Sequence, residues 1–327
     1  MDLVNLFNPE EFFSGDDGSW TGSGSSRGQG LAETLIADYT ILTRAWLPST
    51  AIVALLGEFG VASAAARTTI SRMARRGVLE RNRLGRHSSY RLTQEAADGL
   101  SIGGSLIAAY TTQPDSWDGL WTLISFSVPE EESTRRRALR TALRGWGYAP
   151  LYDAVWLSPF PLTPETRRDL TRVAPGSMSV FRARHVDLDA ELDRHPLEAW
   201  DLPAIAAQYE VFIRRWSSLL PFITDASITG AAAVRARTEL MDTYRHFFPT
   251  LDPLLPAELL PRDWPRTRAR EVCIAVYDGL AQQAQEHVRA VVARFAEGPY
   301  GEIRAHTIAG MSAGISHSEP HRDRSRL

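Results

Sequence analysis

The sequence predicts a multidomain α+β protein with an N-terminal winged helix-turn-helix, a central ferredoxin-like α+β domain and a helical C-terminal domain. Three observations predict it. Between Ser63 and Leu92 stand eight arginines and a single acid, Glu80, in a chain whose formal net charge is −3. From Trp117 to Val186, apolar runs of strand length alternate with amphipathic helical runs in the order strand, helix, strand, helix, strand. From Leu197 to about Ala296 the pattern is helical, broken by a proline-rich stretch at 252–265.

The first 30 residues read as a tail. Ser14 to Gly30 is dominated by Gly, Ser and Asp, which bury too little apolar surface to order a chain. The DNA-binding unit is expected over 31–95. Its first helix runs from Leu31 to Leu42 with Leu31, Leu35, Ile36 and Tyr39 inward. Ser49 is placed as the N-cap of a second helix whose inner face is Ile52, Leu55, Leu56 and Phe59. Gly60 makes the turn into the next helix. There Ala66, Ile70 and Met73 fall at i, i+4 and i+7 and form one apolar stripe. Ser63, Arg67 and Ser71 share another face, with Ala64, Thr68, Arg72 and Arg75 beside them. Small residues let such a helix sink into the DNA major groove, where Arg pairs with guanine or with phosphate. Gly77 ends the helix. Val78 to Leu92 reads as a hairpin with a basic turn at Arg83–Ser88, the wing. A cationic island on a mildly acidic chain is the electrostatic footprint of phosphate binding.

Residues 96–116 read as a linker, because Gly99, Gly103, Gly104 and Pro114 interrupt a short helix. The central domain is expected over 117–190. It has a strand at Trp121–Pro129, a helix at Ser133–Trp146, a strand at Tyr152–Leu157, a helix from Thr163 to Val173 capped by Thr163, and a strand at Met178–Val186. The helical domain is expected over 191–300, with helices at Pro203–Ile223, Thr229–Phe248 and Thr267–Phe295. A polar tail, 301–327, closes the chain.

Composition narrows the function. The chain has 327 residues, 44% hydrophobic and 23% charged, which suits two or three soluble globular domains. No run of about 18 apolar residues is present, and the N-terminus lacks a secretory pattern, so a cytoplasmic location is expected. A single cysteine, Cys273, makes no intrachain disulfide. All 36 basic residues are arginine. A Walker A lysine, a kinase strand lysine and a pyridoxal Schiff base are thereby excluded. No cofactor and no metal are expected.

The chain resembles the phenylacetic acid degradation operon negative regulators, the PaaX-type repressors. The resemblance rests on Trp46-Leu47-Pro48-Ser49 with Arg67 to Arg72 and Gly77, then on Ser125 to Glu130 with the following Arg-rich helix and Trp156-Leu157-Ser158-Pro159. Its most specific part is Asp252-Pro253-Leu254-Leu255-Pro256 with Leu259-Leu260-Pro261 and Asp263-Trp264-Pro265. It covers roughly 31–300. It implies a Cas2-like central domain, a homodimer on double-stranded operator DNA, repression of a catabolic operon, and release by an aryl-acyl-CoA effector such as phenylacetyl-CoA. Groove-facing positions carry over onto Ser63, Arg67, Thr68, Ser71 and Arg72, and wing positions onto Arg83, Arg86 and His87. No motif fixes the effector residues.

Other patterns compete. Gly310-Met311-Ser312-Ala313-Gly314 matches a nucleophile elbow, with His317 and His321 beyond, but no strand precedes it and too little chain follows for a hydrolase. His185, Asp187 and Asp189 fall on one face of an extended strand, where a solvated strand end outweighs a metal site. A metal-dependent nuclease would use the Cas2-like domain, yet its first strand carries no internal Asp, and Glu130 and Glu131 follow the proline. The stripe Arg136, Arg140, Arg144 reads as a phosphate clamp or, more simply, a solvated face. A docking module without sequence preference is the remaining alternative. The chain is expected to be a regulator and not an enzyme.

Overall fold

The computed structural model describes residues 24–84, 87–109, 116–173, 177–188, 194–250, 252–296 and 300–315. The N-terminal elements are α1 (Gly24–Thr40), β1 (Leu47–Pro48), α2 (Ser49–Gly57), α3 (Ser63–Arg75), β2 (Leu79–Leu84), β3 (His87–Leu92) and α4 (Gln94–Ala109). The central elements are β4 (Trp121–Ser127), α5 (Ser133–Gly145), β5 (Ala149–Tyr152), β6 (Val155–Ser158), α6 (Pro164–Val173) and β7 (Ser177–Ala183). The C-terminal helices are α7 (Leu202–Ser217), α8 (Leu220–Thr224), α9 (Gly230–Thr250), α10 (Arg266–Gly279), α11 (Ala281–Phe295) and α12 (Ile308–Ile315). The chain divides into two units: 1–109 with 215–245 and 270–327, and 110–214 with 246–269.

In the first unit the N-terminal helices pack with C-terminal helices. Helix α1 is buried on more than the one stripe its periodicity suggests, since Thr34, Asp38 and Thr40 are buried beside Leu35, Ile36 and Tyr39. The reason lies far along the chain. Tyr277 of α10 donates its hydroxyl to Asp38 Oδ1 at 2.6 Å, and the backbone N–H groups of Arg304 and His306 donate to Tyr39 O and Asp38 O at 3.0 and 2.7 Å. Arg237 of α9 is fully buried and donates to Tyr277 O and His306 O, with its guanidinium 3.7 Å from the centre of the Tyr277 ring. Burial pushes the Asp38 carboxyl up to about 6, although Arg237 opposes the shift. Burial, with Arg237 acting in the same direction, pulls His306 down to about 4.

Several sequence expectations are corrected here. Helix α1 starts at Gly24, not Leu31. At Gly30 the Arg245 guanidinium lies 2.6 Å from where a Cβ would stand, so the glycine permits a close approach. Residues 1–23 lie outside the described residues. Ser49 is the first residue of α2 and not its cap; Pro48 holds that position with no side-chain hydrogen bond. The 96–116 linker is mostly helix α4. Gly104 is a packing feature, since a Cβ on this buried residue would touch Met311 of α12 at 3.4 Å, whereas Gly99 and Gly103 have no neighbour within 4 Å of a Cβ. The polar tail is structured as far as Ile315, with Ile303, Ile308 and Met311 buried. The elbow-like Gly310–Gly314 lies inside α12, where Ser312 Oγ donates to Ile308 O at 3.0 Å and Met311 is buried. His317 and His321 lie outside the described residues. The single helix expected from Thr267 to Phe295 is two, interrupted at Leu280, and the one from Pro203 to Ile223 breaks after Ser217.

The second unit is built on a four-stranded antiparallel sheet in the order β5-β6-β4-β7. With α5 and α6 in the chain order βαββαβ, this is the ferredoxin-like arrangement. The strand expected at 152–157 is two strands, β5 and β6, joined by a tight turn at Asp153-Ala154. Ile124, Phe126, Leu139, Leu143, Tyr148, Trp156 and Leu170 form the main core. Thr163 caps α6, accepting from Thr166 N–H at 3.1 Å, as its position before Pro164 predicts. The guanidinium stripe of α5 turns onto its own domain. Arg136 and Arg140 donate to Val128 O and Asp153 O at 2.8 and 3.1 Å, and Arg144 lies over the Trp156 ring.

The Asp252-Pro-Leu-Leu-Pro stretch owes its specificity to one buried carboxylate. Asp252 accepts from Arg266 Nε and Nη2 at 2.6 and 2.7 Å, from Tyr209 Oη at 2.6 Å and from Leu254 N–H at 2.8 Å. Trp264 meets Tyr209 edge to face, with ring centres 6.2 Å apart. It is a packing anchor.

Candidate nucleic-acid interface

Helix α3 is held by Ala66, Thr69, Ile70 and Met73, all buried, and packs on α1 and α2. The apolar stripe read from the sequence is therefore its inner face. Gly60 enters the turn before it at φ +76°. At the far end Gly77, at φ +75°, donates to Ala74 O, and Val78 N–H reaches back to Met73 O at 3.0 Å. These two bonds make a Schellman closure, which requires the left-handed residue. Gly77→Ala places a Cβ in open space but in that left-handed conformation. We expect a loss of roughly 1–2 kcal/mol in urea unfolding, with the helix otherwise unchanged.

The outer face of α3 carries Ser63, Ala64, Ala65, Arg67, Thr68, Ser71 and Arg75, all exposed. Arg72 is half-buried and sits at the edge of this face. Thr68 Oγ1 donates to Ala64 O at 2.9 Å, so its hydroxyl hydrogen stays on the helix while its lone pairs and methyl face out. Ala62 precedes the helix with no side-chain cap and no acid lies in the first turn, leaving the first N–H groups open to an anion.

Strands β2 and β3 pair from Leu79↔Leu92 to Leu84↔His87. Strand β1 adds to the outside of β3 through Leu47↔Tyr90 and Pro48↔Ser89. Arg81, Asn82, Arg83 and His87 are exposed towards the tip of this hairpin. Arg86 lies outside the described residues. Arg81 reaches Ser88 Oγ at 2.7 Å through Nη2.

Glu80, the one acid of the stretch, is taken up within the sheet. Its Oε1 accepts from Arg44 at 2.5 Å and from Arg91 at 2.7 Å, and Arg91 lies over the Trp46 ring at 4.4 Å. Arg44 adds bonds to Leu92 O and Gln94 Oε1 at 3.0 and 2.9 Å. Trp46-Leu47-Pro48 thus anchors the base of the hairpin, and the acid is neutralised where it stands. The exposed surface of α3 and of the described hairpin residues beyond Glu80 carries no carboxylate. Arg75 joins the outer face of α3 although it was not among the carried-over positions; its spacing of four from Ser71 and eight from Arg67 is the signal that finds it.

The chain matches three family models: PaaX-like protein over residues 27–96, the PaaX protein central Cas2-like domain over 114–194, and the PaaX-like protein C-terminal domain over 200–290. It is similar to the transcriptional repressor PaaX of Escherichia coli K12, at 29% identity over 266 residues, 80% of each chain. The fold is similar to that of uncharacterized protein Rv0674 from Mycobacterium tuberculosis. The TM-score is 0.53 at 21% identity, over 81% of this chain and 98% of that one. No described helix is long and apolar enough to cross a membrane. Three consecutive matches, in the order and over the span that the sequence motifs indicate, show that the chain belongs to the PaaX family and is a transcriptional regulator, not an enzyme.

Proposed function

We propose that this protein is a cytoplasmic repressor of a phenylacetate-type catabolic operon, reading its operator through a winged helix-turn-helix at 31–95. Helix α3 is the recognition helix and the β2–β3 hairpin is the wing. The observation that carries this reading is the outer face of α3. It is small, hydroxylated and cationic, and the single acid of 63–92, Glu80, is neutralised by Arg44 and Arg91. Ser63, Arg67, Thr68, Ser71 and Arg72 face the groove, with Arg75 beside them. Arg83, Arg86 and His87 contact the backbone from the wing. The repressor role is supported by the name of the E. coli relative.

The protein binds as a homodimer, one recognition helix per half-site of a pseudo-palindrome. Self-association is supported by β7, an edge strand with Val180 and Phe181 exposed at 41% and 55%. An aryl-acyl-CoA such as phenylacetyl-CoA releases the operator by binding the DNA-incompetent state more tightly. The domain at 117–190 serves as scaffold, and the helices of 191–300 complete the control unit.

Two variants test the DNA contacts. Arg67→Ala weakens operator binding by about 1–3 kcal/mol and leaves shuffled DNA nearly unaffected if it reads a base. An equal loss on both duplexes makes Arg67 a phosphate contact. Arg83→Ala weakens binding to every duplex and reduces the salt slope by about 1. An unchanged slope removes the hairpin from the interface.

A further inference from the structure

We propose that His185, Asp187 and His195 form a binding site for a divalent transition metal, of which Zn2+ is the type. Their ligand atoms all lie within 4.8 Å of one another. The sequence places His185 and Asp187 on one face of a strand end but gives no sign that His195 returns to them. Asp189, which the sequence placed with the first two, lies outside the described residues.

The geometry is close to a tetrahedral set. Ligands about 2.0–2.1 Å from a zinc ion stand about 3.3 Å apart. His185 Nδ1 and Asp187 Oδ1 are already 3.1 Å apart. The His185 and His195 rings meet edge to face with centres 5.3 Å apart. Drawing in the longest separation takes about 1.5 Å, within reach of side-chain rotation at exposed Asp187 and His195. Two imidazoles and one carboxylate suit zinc, cobalt or nickel, whereas magnesium and calcium require oxygen ligands. The fourth position falls to water.

His195 already has a local task. Its Nδ1 accepts from Leu197 N–H at 3.2 Å and caps the short turn Pro196–Ala199. A metal on Nδ1 takes that lone pair, and a metal on Nε2 moves the ring proton to Nδ1. Either way the metal replaces the cap. The exchange ties the end of β7 to a turn that packs beside β5, where Arg194 donates to Leu151 O. The site therefore clips together the two ends of a segment that starts at one edge strand of the sheet and arrives at the other.

The test uses the full-length protein freed of metal by chelator, titrated with ZnCl2 against a chromophoric chelator, with MgCl2 as control. We expect one Zn2+ per chain and no competition from Mg2+. Asp187→Asn and His195→Ala each weaken binding about tenfold or more. Zn2+ raises the unfolding temperature of the parent protein and fails to raise that of Asp187→Asn, whose surface position leaves the fold intact. The proposal is overturned if the parent binds no zinc. It is equally overturned if Asp187→Asn and His195→Ala, folded by circular dichroism, bind zinc as the parent does.

Discussion

Arg237→Met will destabilise the first unit by on the order of 3–5 kcal/mol, the scale for removing one partner of a buried charge arrangement. Arg237 is fully buried. Its loss leaves Tyr277 O and His306 O without their donor and strips the cation from the neighbourhood of Asp38. Protonation of Asp38 offers partial relief, because its carboxyl is already held up at about 6 by burial. The double variant Arg237→Met/Asp38→Asn is accordingly expected to recover part of the loss. Urea unfolding of the single and double variants at pH 7 checks this, and a single-variant loss below about 1 kcal/mol would show that the network holds little.

The same network sets a pH signature. The raised Asp38 contributes stability that is fully present below its ordinary value of 3.8 and is lost as pH rises through about 6. His306, lowered from 6.5 to about 4, contributes stability present above 6.5 and lost as pH falls through about 4. The two slopes oppose each other between about 4 and 6. Asp38→Asn removes the first, so the stability of the variant should climb with pH across that window more steeply than that of the parent.

The second large effect is in the other unit. Asp252→Ala should cost about 3–5 kcal/mol, because it removes the carboxylate that balances the charge of the buried Arg266 guanidinium. Tyr209 Oη and Leu254 N–H lose their acceptor as well, and Leu254 sits at φ +56°, a backbone conformation that the Asp252 carboxylate helps to hold. Asp252→Asn, which keeps one acceptor oxygen and the shape, should be milder. Thermal unfolding of the two variants beside the parent decides it. Equal, small effects would mean that the proline-rich stretch is held by Leu255 and Leu259 packing alone.

What was legible in the sequence depended on distance along the chain. The stripe Ala66, Ile70, Met73 and the closing Gly77 are set by local periodicity and local φ, and both stand where the pattern put them. The outward positions Ser63, Arg67, Thr68 and Ser71 follow from the same period. Arg72 lies closer to the buried side than that period alone suggests. Contacts between distant segments left no such trace. Gly104 read as a breaker because nothing near it in sequence shows Met311 closing on it. Asp38 is missing from the inward set read for α1 because its partners, Tyr277 and Arg237, stand far along the chain. The β5–β6 hairpin was hidden because Asp153-Ala154 lacks the Asn-Gly or Asp-Gly turn signal.

The central claim is sequence-selective DNA binding through α3 and the β2–β3 hairpin, relieved by an acyl-CoA. Its most direct test is fluorescence anisotropy at fixed salt on the protein's own upstream DNA and on a shuffled duplex, repeated with phenylacetyl-CoA. The account predicts binding to the upstream DNA about 10³-fold or more tighter than to the shuffled duplex, and release on adding the thioester. A ratio near one on every duplex tried would contradict it.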